Sequence, residues 1–241
     1  MNCLGCDMPL TGTIKNYESL NRISSDNKLF GTGGQLAQCE QCGTVQKPTD
    51  AVWQAECNSI YNVYDSYSGS GGIEQSVRGG AFTGGKFAPR SYLALEGLLS
   101  RGDLRSGGRL LDYGCGRGPT TRAAFRLLPG WRVDGYDLDR RAEAELNSME
   151  NFDTLFSGSP NETLNQMIET GIRYDLIALV HVLEHIPHGH EALSKLKQLL
   201  APGGQILIQV PNRVSNPFDL LVADHTVHFD PLSLFRVVKR S

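Results

Sequence analysis

The chain has 241 residues, enough for one α/β domain and a small additional module. Its formal net charge is −3, so no bulk basic field draws it to nucleic acid. The N-terminus MNCLGCDMPL lacks the apolar core of a signal peptide and no apolar run approaches the ~20 residues of a membrane span, so a cytoplasmic protein with neither a membrane nor a nucleic-acid partner is expected.

Six cysteines in a reducing compartment are thiols or metal ligands sooner than disulfides. Cys3-Leu4-Gly5-Cys6 and Cys39-Glu40-Gln41-Cys42-Gly43 form two C-x-x-C pairs. Together they offer the four thiolates that a closed, tetrahedral structural zinc takes. A small zinc-binding module over residues 1–67 is therefore expected, with Cys3, Cys6, Cys39 and Cys42 as ligands. Cys57 and Cys115 fall outside the pattern. Ile60 to Tyr67 carries three tyrosines, and residues 68–87 are rich in Gly and Ser, which reads equally as a linker or as a flap over a site. Residues 88–241 then form the main domain. Ala88 to Leu99 has apolar residues at helical spacing, and Arg101 to Gly108 is a turn.

The stretch Arg109 to Thr121, RLLDYGCGRGPTT, reads as a buried strand ending at Asp112, a turn through Gly114, Gly116 and Gly118, and the start of a helix. Alternate glycines allow φ > 0 and close approach of a ligand. Strand, glycine turn and helix make the nucleotide-binding corner of a doubly wound sheet. The G-x-G-x-G spacing differs from the dinucleotide fingerprint G-x-G-x-x-G, which weakens the reading as an NAD-dependent oxidoreductase. A second acid, Asp137, ends the next apolar run, Trp131 to Tyr136, where a carboxylate suits a ribose diol. This arrangement resembles the class I S-adenosylmethionine (SAM) methyltransferases.

Further along, Arg140 to Met149 reads as a helix, Phe152 to Phe156 as a third strand with Ser157 to Ser159 as its loop, and Thr163 to Glu169 as a helix. Tyr174 to Val180 is a near-continuous apolar run, as in a central parallel strand. Ala192 to Leu200 reads as a helix ended by Pro202-Gly203-Gly204, and Gln205 to Val210 as the fifth strand. Alternating strands and helices predict an α/β fold with a doubly wound, mostly parallel, Rossmann-like sheet. All six histidines lie between His181 and His228. His181-Val-Leu-Glu184-His185 matches H-x-x-E-H, but it directly follows a strand and Pro187 stops any long helix, so the zinc-protease reading fails. His181 instead ends the fourth strand, where ligands bind in such sheets. His185, His188 and His190 read as loop histidines.

The runs YDLIALVHVLEHIPH, APGGQILIQVPN and DHTVHFDPLSL extend the resemblance to class I methyltransferases over Ser91 to Arg240. The front, with CEQCGTVQ and the tyrosines after it, is similar to the zinc-bearing module of the sugar C-methyltransferases. That resemblance implies SAM and zinc as cofactors and a small-molecule or saccharide acceptor. It assigns SAM to Asp112, Tyr113, Gly114, Cys115, Gly116, Gly118, Asp137, Leu138, Ser159 and Val180. It places His225, Asp224 and His181 at the substrate as catalytic residues. His225 is read as the general base; Asp224, adjacent in sequence, either diverges from it or, if the loop turns there, orients or charges the ring, and His181 is the alternative base or binds an acceptor hydroxyl or phosphate. Asp224 stands where those enzymes carry Glu, and Val222 lies where a tyrosine is expected. The chain stops before the last two strands of such a sheet, so a truncated C-terminal end is expected. A zinc-ribbon binding module with a silent methyltransferase-like core is the competing reading. The sequence leaves C- and O-methylation open.

Overall fold

The computed structural model describes residues 1–64, 74–79, 84–102, 104 and 106–241. Much of the Gly/Ser-rich stretch read as a linker or flap, including Tyr67, lies outside the described residues. Strands β1 (Gly12–Thr13), β2 (Arg22–Ile23), β3 (Leu29–Gly31), β4 (Ala37–Gln38) and β5 (Val45–Gln46) are followed by helix α1 (Ala51–Asn62). A hairpin of β6 (Ser76–Arg78) and β7 (Phe87–Pro89) leads to α2 (Arg90–Leu99). Strands and helices then alternate: β8 (Gly108–Tyr113), α3 (Pro119–Leu127), β9 (Trp131–Asp137), α4 (Glu143–Asn147), β10 (Phe152–Ser157), α5 (Pro160–Glu169), β11 (Tyr174–Val180), α6 (Gly189–Gln198) and β12 (Leu200–Gln209). Strand β13 (Val227–His228) and helix α7 (Pro231–Arg240) follow. Among the described residues no helix is long and apolar enough to cross a membrane.

The chain divides into two compact units. One takes Ser70–Val182 and Lys195–Gln209. Its five strands pair in parallel in the order β10-β9-β8-β11-β12, so the order reverses between β8 and β11. The apolar run of β11 is buried through its middle, as a strand covered on both faces requires. Leu95 and Leu98 of α2, Ala123 and Ala124 of α3, and Leu110, Trp131, Val133 and Leu176 of the strands share one core. The acid inside β9 is matched locally. Asp134 Oδ2 accepts from Arg109 Nε at 2.7 Å and from the Tyr174 hydroxyl at 3.0 Å, which offsets part of the cost of burying the carboxylate, whose Oδ1 has no hydrogen-bond partner.

Helix α5 begins at Pro160 and not Thr163, α6 begins at Gly189 and not Ala192, and three further features differ from the sequence reading. Residues 87–89 pair as a strand, so the helix read from Ala88 begins at Arg90. The helix read over Arg140 to Met149 shortens to Glu143–Asn147. Pro202-Gly203-Gly204 does not separate the helix read over Ala192 to Leu200 from the fifth strand. The helix already ends at Gln198, and β12 starts at Leu200. Tyr174 pairs with Leu200 but Leu176 pairs with Gln205, so a bulge absorbs the extra residues. Pro202 and Gly203 are exposed in that bulge, and Gly203 supplies the positive φ of 78° it needs.

The second unit takes Met1–Gly69, Leu183–Ser194 and Val210–Ser241. Residues from the C-terminal third thus cluster with the N-terminal module. The four-stranded sheet β1-β4-β5-β13 is the reason, since β13 pairs antiparallel with β5. Helix α7 begins with a capping box, Ser233 N donating to Asp230 Oδ1 at 2.8 Å and Asp230 N to Ser233 Oγ at 2.8 Å. Its far end reaches back, with Arg236 donating to Cys42 O and Arg240 to Leu4 O, each at 2.8 Å.

Candidate functional site

In the sheet unit, the candidate cofactor residues gather at the carboxyl ends of neighbouring strands. Asp112 pairs across to Gly135 of β9 and to Ala178 of β11, next to the point where the strand order reverses. Ligands bind at such switch points. Gly114 and Cys115 both donate their N–H to Tyr136 O, at 2.7 and 2.9 Å, which fastens the turn to β9. Gly114, Gly116 and Gly118 have φ of 81°, 49° and 76°. A Cβ on Gly114 would stand 2.4 Å from Val182 Cγ2. Gly114→Ala is therefore expected to lower stability by ~2–5 kcal/mol, ~1–2 from the left-handed backbone and ~1–3 from overpacking. Urea unfolding followed by circular dichroism checks this.

Asp137 ends β9, and its two oxygens accept from Gly116 N and Leu138 N, each at 2.8 Å. Burial raises its pKa, against the lowering effect of the Gly116, Leu138 and Asp139 N–H groups. An ionised carboxylate has about four lone-pair sites, so each oxygen keeps one for a further donor. The residues present thus fit a vicinal diol, the chemistry a SAM ribose offers. The Asp112 carboxylate is buried beneath the turn within 3.5 Å of Thr121 Oγ1, and burial pushes its pKa up to about 7. The side chains of Tyr113 and Cys115 are buried, and the Tyr113 ring stacks on Tyr136 with centroids 4.5 Å apart. These three residues can present only backbone to a ligand. Leu138 and Ser159 are exposed, and Val180 is half-buried at the tip of β11. His181 follows it with φ of 57°, a conformation uncommon outside glycine, and its Nε2 lies 3.4 Å from Arg90 Nη1.

In the other unit, Cys3 Sγ lies 3.5 Å from Cys42 Sγ and Cys6 Sγ 3.6 Å from Cys39 Sγ. All four sulfurs lie within 4.8 Å of one another. Four sulfurs ~2.3 Å from one ion in a tetrahedron stand ~3.8 Å apart, so the donor set and spacing fit zinc. Gly43, with φ of 73°, makes the turn that Gly43 N closes on Cys39 O at 2.8 Å.

The same unit holds His225 and Asp224 in a buried polar network. His225 Nδ1 lies 2.8 Å from Asp219 Oδ1, and His228 Nδ1 lies 2.8 Å from Asp219 Oδ2. Asp224 does not face His225. Its carboxylate accepts from Ser25 N at 2.9 Å and from Ser25 Oγ, and lies 3.4 Å from His185 Nδ1. Of the two arrangements open to these neighbours in sequence, the structure has the divergent one, and Asp219 stands against His225 instead. His185, read as a loop histidine, belongs to the network too. Its Nδ1 lies 3.1 Å from the Tyr61 hydroxyl, and its ring meets that of His225 edge-on at 4.6 Å. Burial pushes His185 down, but the hydrogen bond and charge of Asp224 outweigh it and raise its pKa. Sequence reading missed Asp219, Lys47, Glu184 and Tyr61. The signal available was the crowding of Asp219, Asp224 and Asp230 around two histidines.

A family model described as "Methyltransferase domain" matches residues 87–234. Over 140 residues the chain is 31% identical to a ubiquinone biosynthesis O-methyltransferase of Nitrosococcus oceani, covering 56% of this chain and 57% of that protein. Over 132 residues it is 29% identical to a trans-aconitate 2-methyltransferase of Methylobacterium nodulans, covering 55% of this chain and 49% of that one. The chain spans about half the length of the curated relatives it matches. Among solved structures, a SAM-dependent methyltransferase from Archaeoglobus fulgidus aligns with a TM-score of 0.47 at 19% identity, covering 63% of this chain and 68% of that one. With the glycine turn, the acid ending β9 and the five-stranded parallel sheet in place, the match over residues 87–234 shows that the chain belongs to the methyltransferase-domain family.

Proposed function

We propose that the chain is a SAM-dependent methyltransferase acting on a small molecule, with a saccharide or nucleotide-linked sugar as acceptor, and that it carries one structural zinc on Cys3, Cys6, Cys39 and Cys42. The observation that carries the cofactor reading is Asp137, a carboxylate held against the glycine turn by Gly116 N and Leu138 N with acceptor capacity left on both oxygens. SAM, when bound, supplies a methyl group made electrophilic by its sulfonium. The chain's own residues do the rest. Asp137 accepts the ribose hydroxyls. The turn at Gly114 to Gly118 brings backbone close without a Cβ in the way. Arg90 and His181 offer a cation and an imidazole to an acceptor hydroxyl or phosphate. His225 takes the proton that the acceptor loses as its new bond to carbon forms.

The relatives named O-methyltransferases favour an oxygen acceptor, while the paired cysteines and His225 carry the likeness to sugar enzymes. Asp137→Ala is expected to weaken SAM by ~1–3 kcal/mol, the range for a lost charge-assisted hydrogen bond. Titration calorimetry reads it directly, and unchanged affinity defeats the assignment. The acceptor is tested by incubating the zinc-loaded protein with methyl-labelled SAM and a panel of nucleotide sugars and phenols. Label found only on a phenol overturns the saccharide reading and keeps the reaction.

A further inference from the structure

We propose that Asp219 is the residue that positions His225, fixing the ring proton on Nδ1 and leaving Nε2 as the proton-accepting nitrogen, while His228 and Lys47 hold the other carboxylate oxygen in place. The catalytic consequence rests on the reading of His225 as base; the positioning rests on geometry within one unit. An ionised carboxylate only accepts, so a ring nitrogen 2.8 Å from it must carry the proton. Each Asp219 oxygen has one such nitrogen, Nδ1 of His225 on Oδ1 and Nδ1 of His228 on Oδ2. His228 Nε2 is then a lone pair, and Lys47 Nζ lies 3.1 Å from it. The other two Lys47 protons have acceptors in Val222 O and, at 3.2 Å, His225 O. With Lys47 protonated, every side-chain proton in the chain Lys47, His228, Asp219 and His225 thus has an acceptor, and the bare His225 Nε2 ends it. Reversing either ring would set a lone pair against the carboxylate.

The carboxylate is itself anchored. Asp219 sits in a 3-10 turn over Pro217–Leu221, Val222 N donates to Asp219 O at 3.0 Å, and the Tyr17 hydroxyl donates to Leu220 O at 2.8 Å. This is the arrangement in which a buried acid holds an imidazole in one tautomer and supports the charge it gains. Other charged groups face the pair. His185, raised by Asp224, lies edge-on to the His225 ring, and buried Glu184 has a carboxylate oxygen within 4.8 Å of ring nitrogens of both. Burial lowers His225, Asp219 pulls it back up, and the His185 charge lowers it further, so the ring is neutral at neutral pH.

The test is a long-range proton–nitrogen correlation spectrum of the histidine rings, recorded on the zinc-loaded full chain at neutral pH and assigned with His225→Asn. The expected result is a protonated Nδ1 and a bare Nε2 on His225. Asp219→Asn is expected to lose that pattern and to lower turnover by about 10²–10⁴-fold, with SAM affinity unchanged. A proton on His225 Nε2 in the wild type overturns the proposal, and so does an Asp219→Asn spectrum identical to wild type. Loss of the pattern in Asp224→Asn but not in Asp219→Asn gives the role to Asp224 and also overturns it. Where Asp219→Asn does not fold, the wild-type spectrum alone decides. Full turnover in His225→Asn defeats the functional reading, while the spectrum still decides the positioning.

Discussion

Cys39→Ser is expected to cost the protein its zinc and, with it, the fold of the N-terminal knuckles. A hydroxyl does not ionise near neutral pH as a thiol can, so three thiolates remain where a closed site needs four. Apparent binding free energies of structural zinc run to ~10–16 kcal/mol, as large as the whole stability of many domains at ~5–15 kcal/mol. The elements that an ion there would close are short. Strands β1, β4 and β5 are two residues each, and the core beside them is built on Tyr17, Leu36 and Val45. The Arg236 and Arg240 hydrogen bonds onto Cys42 O and Leu4 O lose their geometry when the knuckles open. One equivalent of zinc by elemental analysis in the wild type, none in Cys39→Ser, and a melting temperature lower by more than 10 °C are the expected results, since ~1 kcal/mol moves a domain of this size by ~2–4 °C. Cys57→Ser, which changes a buried cysteine of α1 outside the cluster, is expected to keep its zinc. Wild-type protein purified without chelator and found free of zinc defeats this prediction.

The knuckles were legible because the information is local: two C-x-x-C pairs announce themselves, although Cys6 and Cys39 meet across 33 positions. The same holds for Tyr174 to Val180, where six of seven residues are apolar, all but Asp175. The glycine turn was legible for a backbone reason, since three alternate positive φ values need glycine. Pro202-Gly203-Gly204 misled because a bulge and a helix stop use the same residues, and only pairing with β11 tells them apart.

The polar network was not legible, and the cause is distance along the chain. Lys47 meets His228 across 181 positions, and Ser25 meets Asp224 across 199. Nothing in residues near Lys47 marks a lysine that burial will lower to about 7. Adjacency in sequence favoured Asp224 as the partner of His225. Once His225 packs against Asp219, though, Asp224 turns to His185 and Ser25. A carboxylate six positions away, inside the 3-10 turn over Pro217–Leu221, is a better partner than one next door because the chain leaving that turn brings the ring back to it.

His225→Asn is expected to lower turnover on the true acceptor by ~10²–10⁴-fold, the usual share of general-base catalysis, while SAM binds as before. Asn keeps a polar group near the Asp219 carboxylate, so the loss reports the missing proton acceptor rather than a collapsed pocket. The pH dependence gives an independent check. His225 must be neutral to accept a proton, so activity falls as the ring is protonated. Burial holds its pKa below the ordinary ~6.5 of a histidine, and the neighbouring His185 charge adds to that. The acid limb of kcat/KM is therefore expected below pH ~6.5, with a flat profile at neutral pH. His185 titrates the other way, the hydrogen bond and charge of Asp224 outweighing burial, and a limb above pH ~6.5 would exclude His225 as the essential group. Asp219 sharpens the distinction. Against the upward push of burial, the hydrogen bonds from His225 and His228 hold its carboxyl below the usual carboxylate range, so it stays charged throughout the limb. A single ionisation in the wild-type profile, absent from the residual activity of His225→Asn, places the proton on His225. Wild-type turnover in that variant would remove His225 from the reaction and leave His181, at the end of β11 beside Arg90, as the candidate.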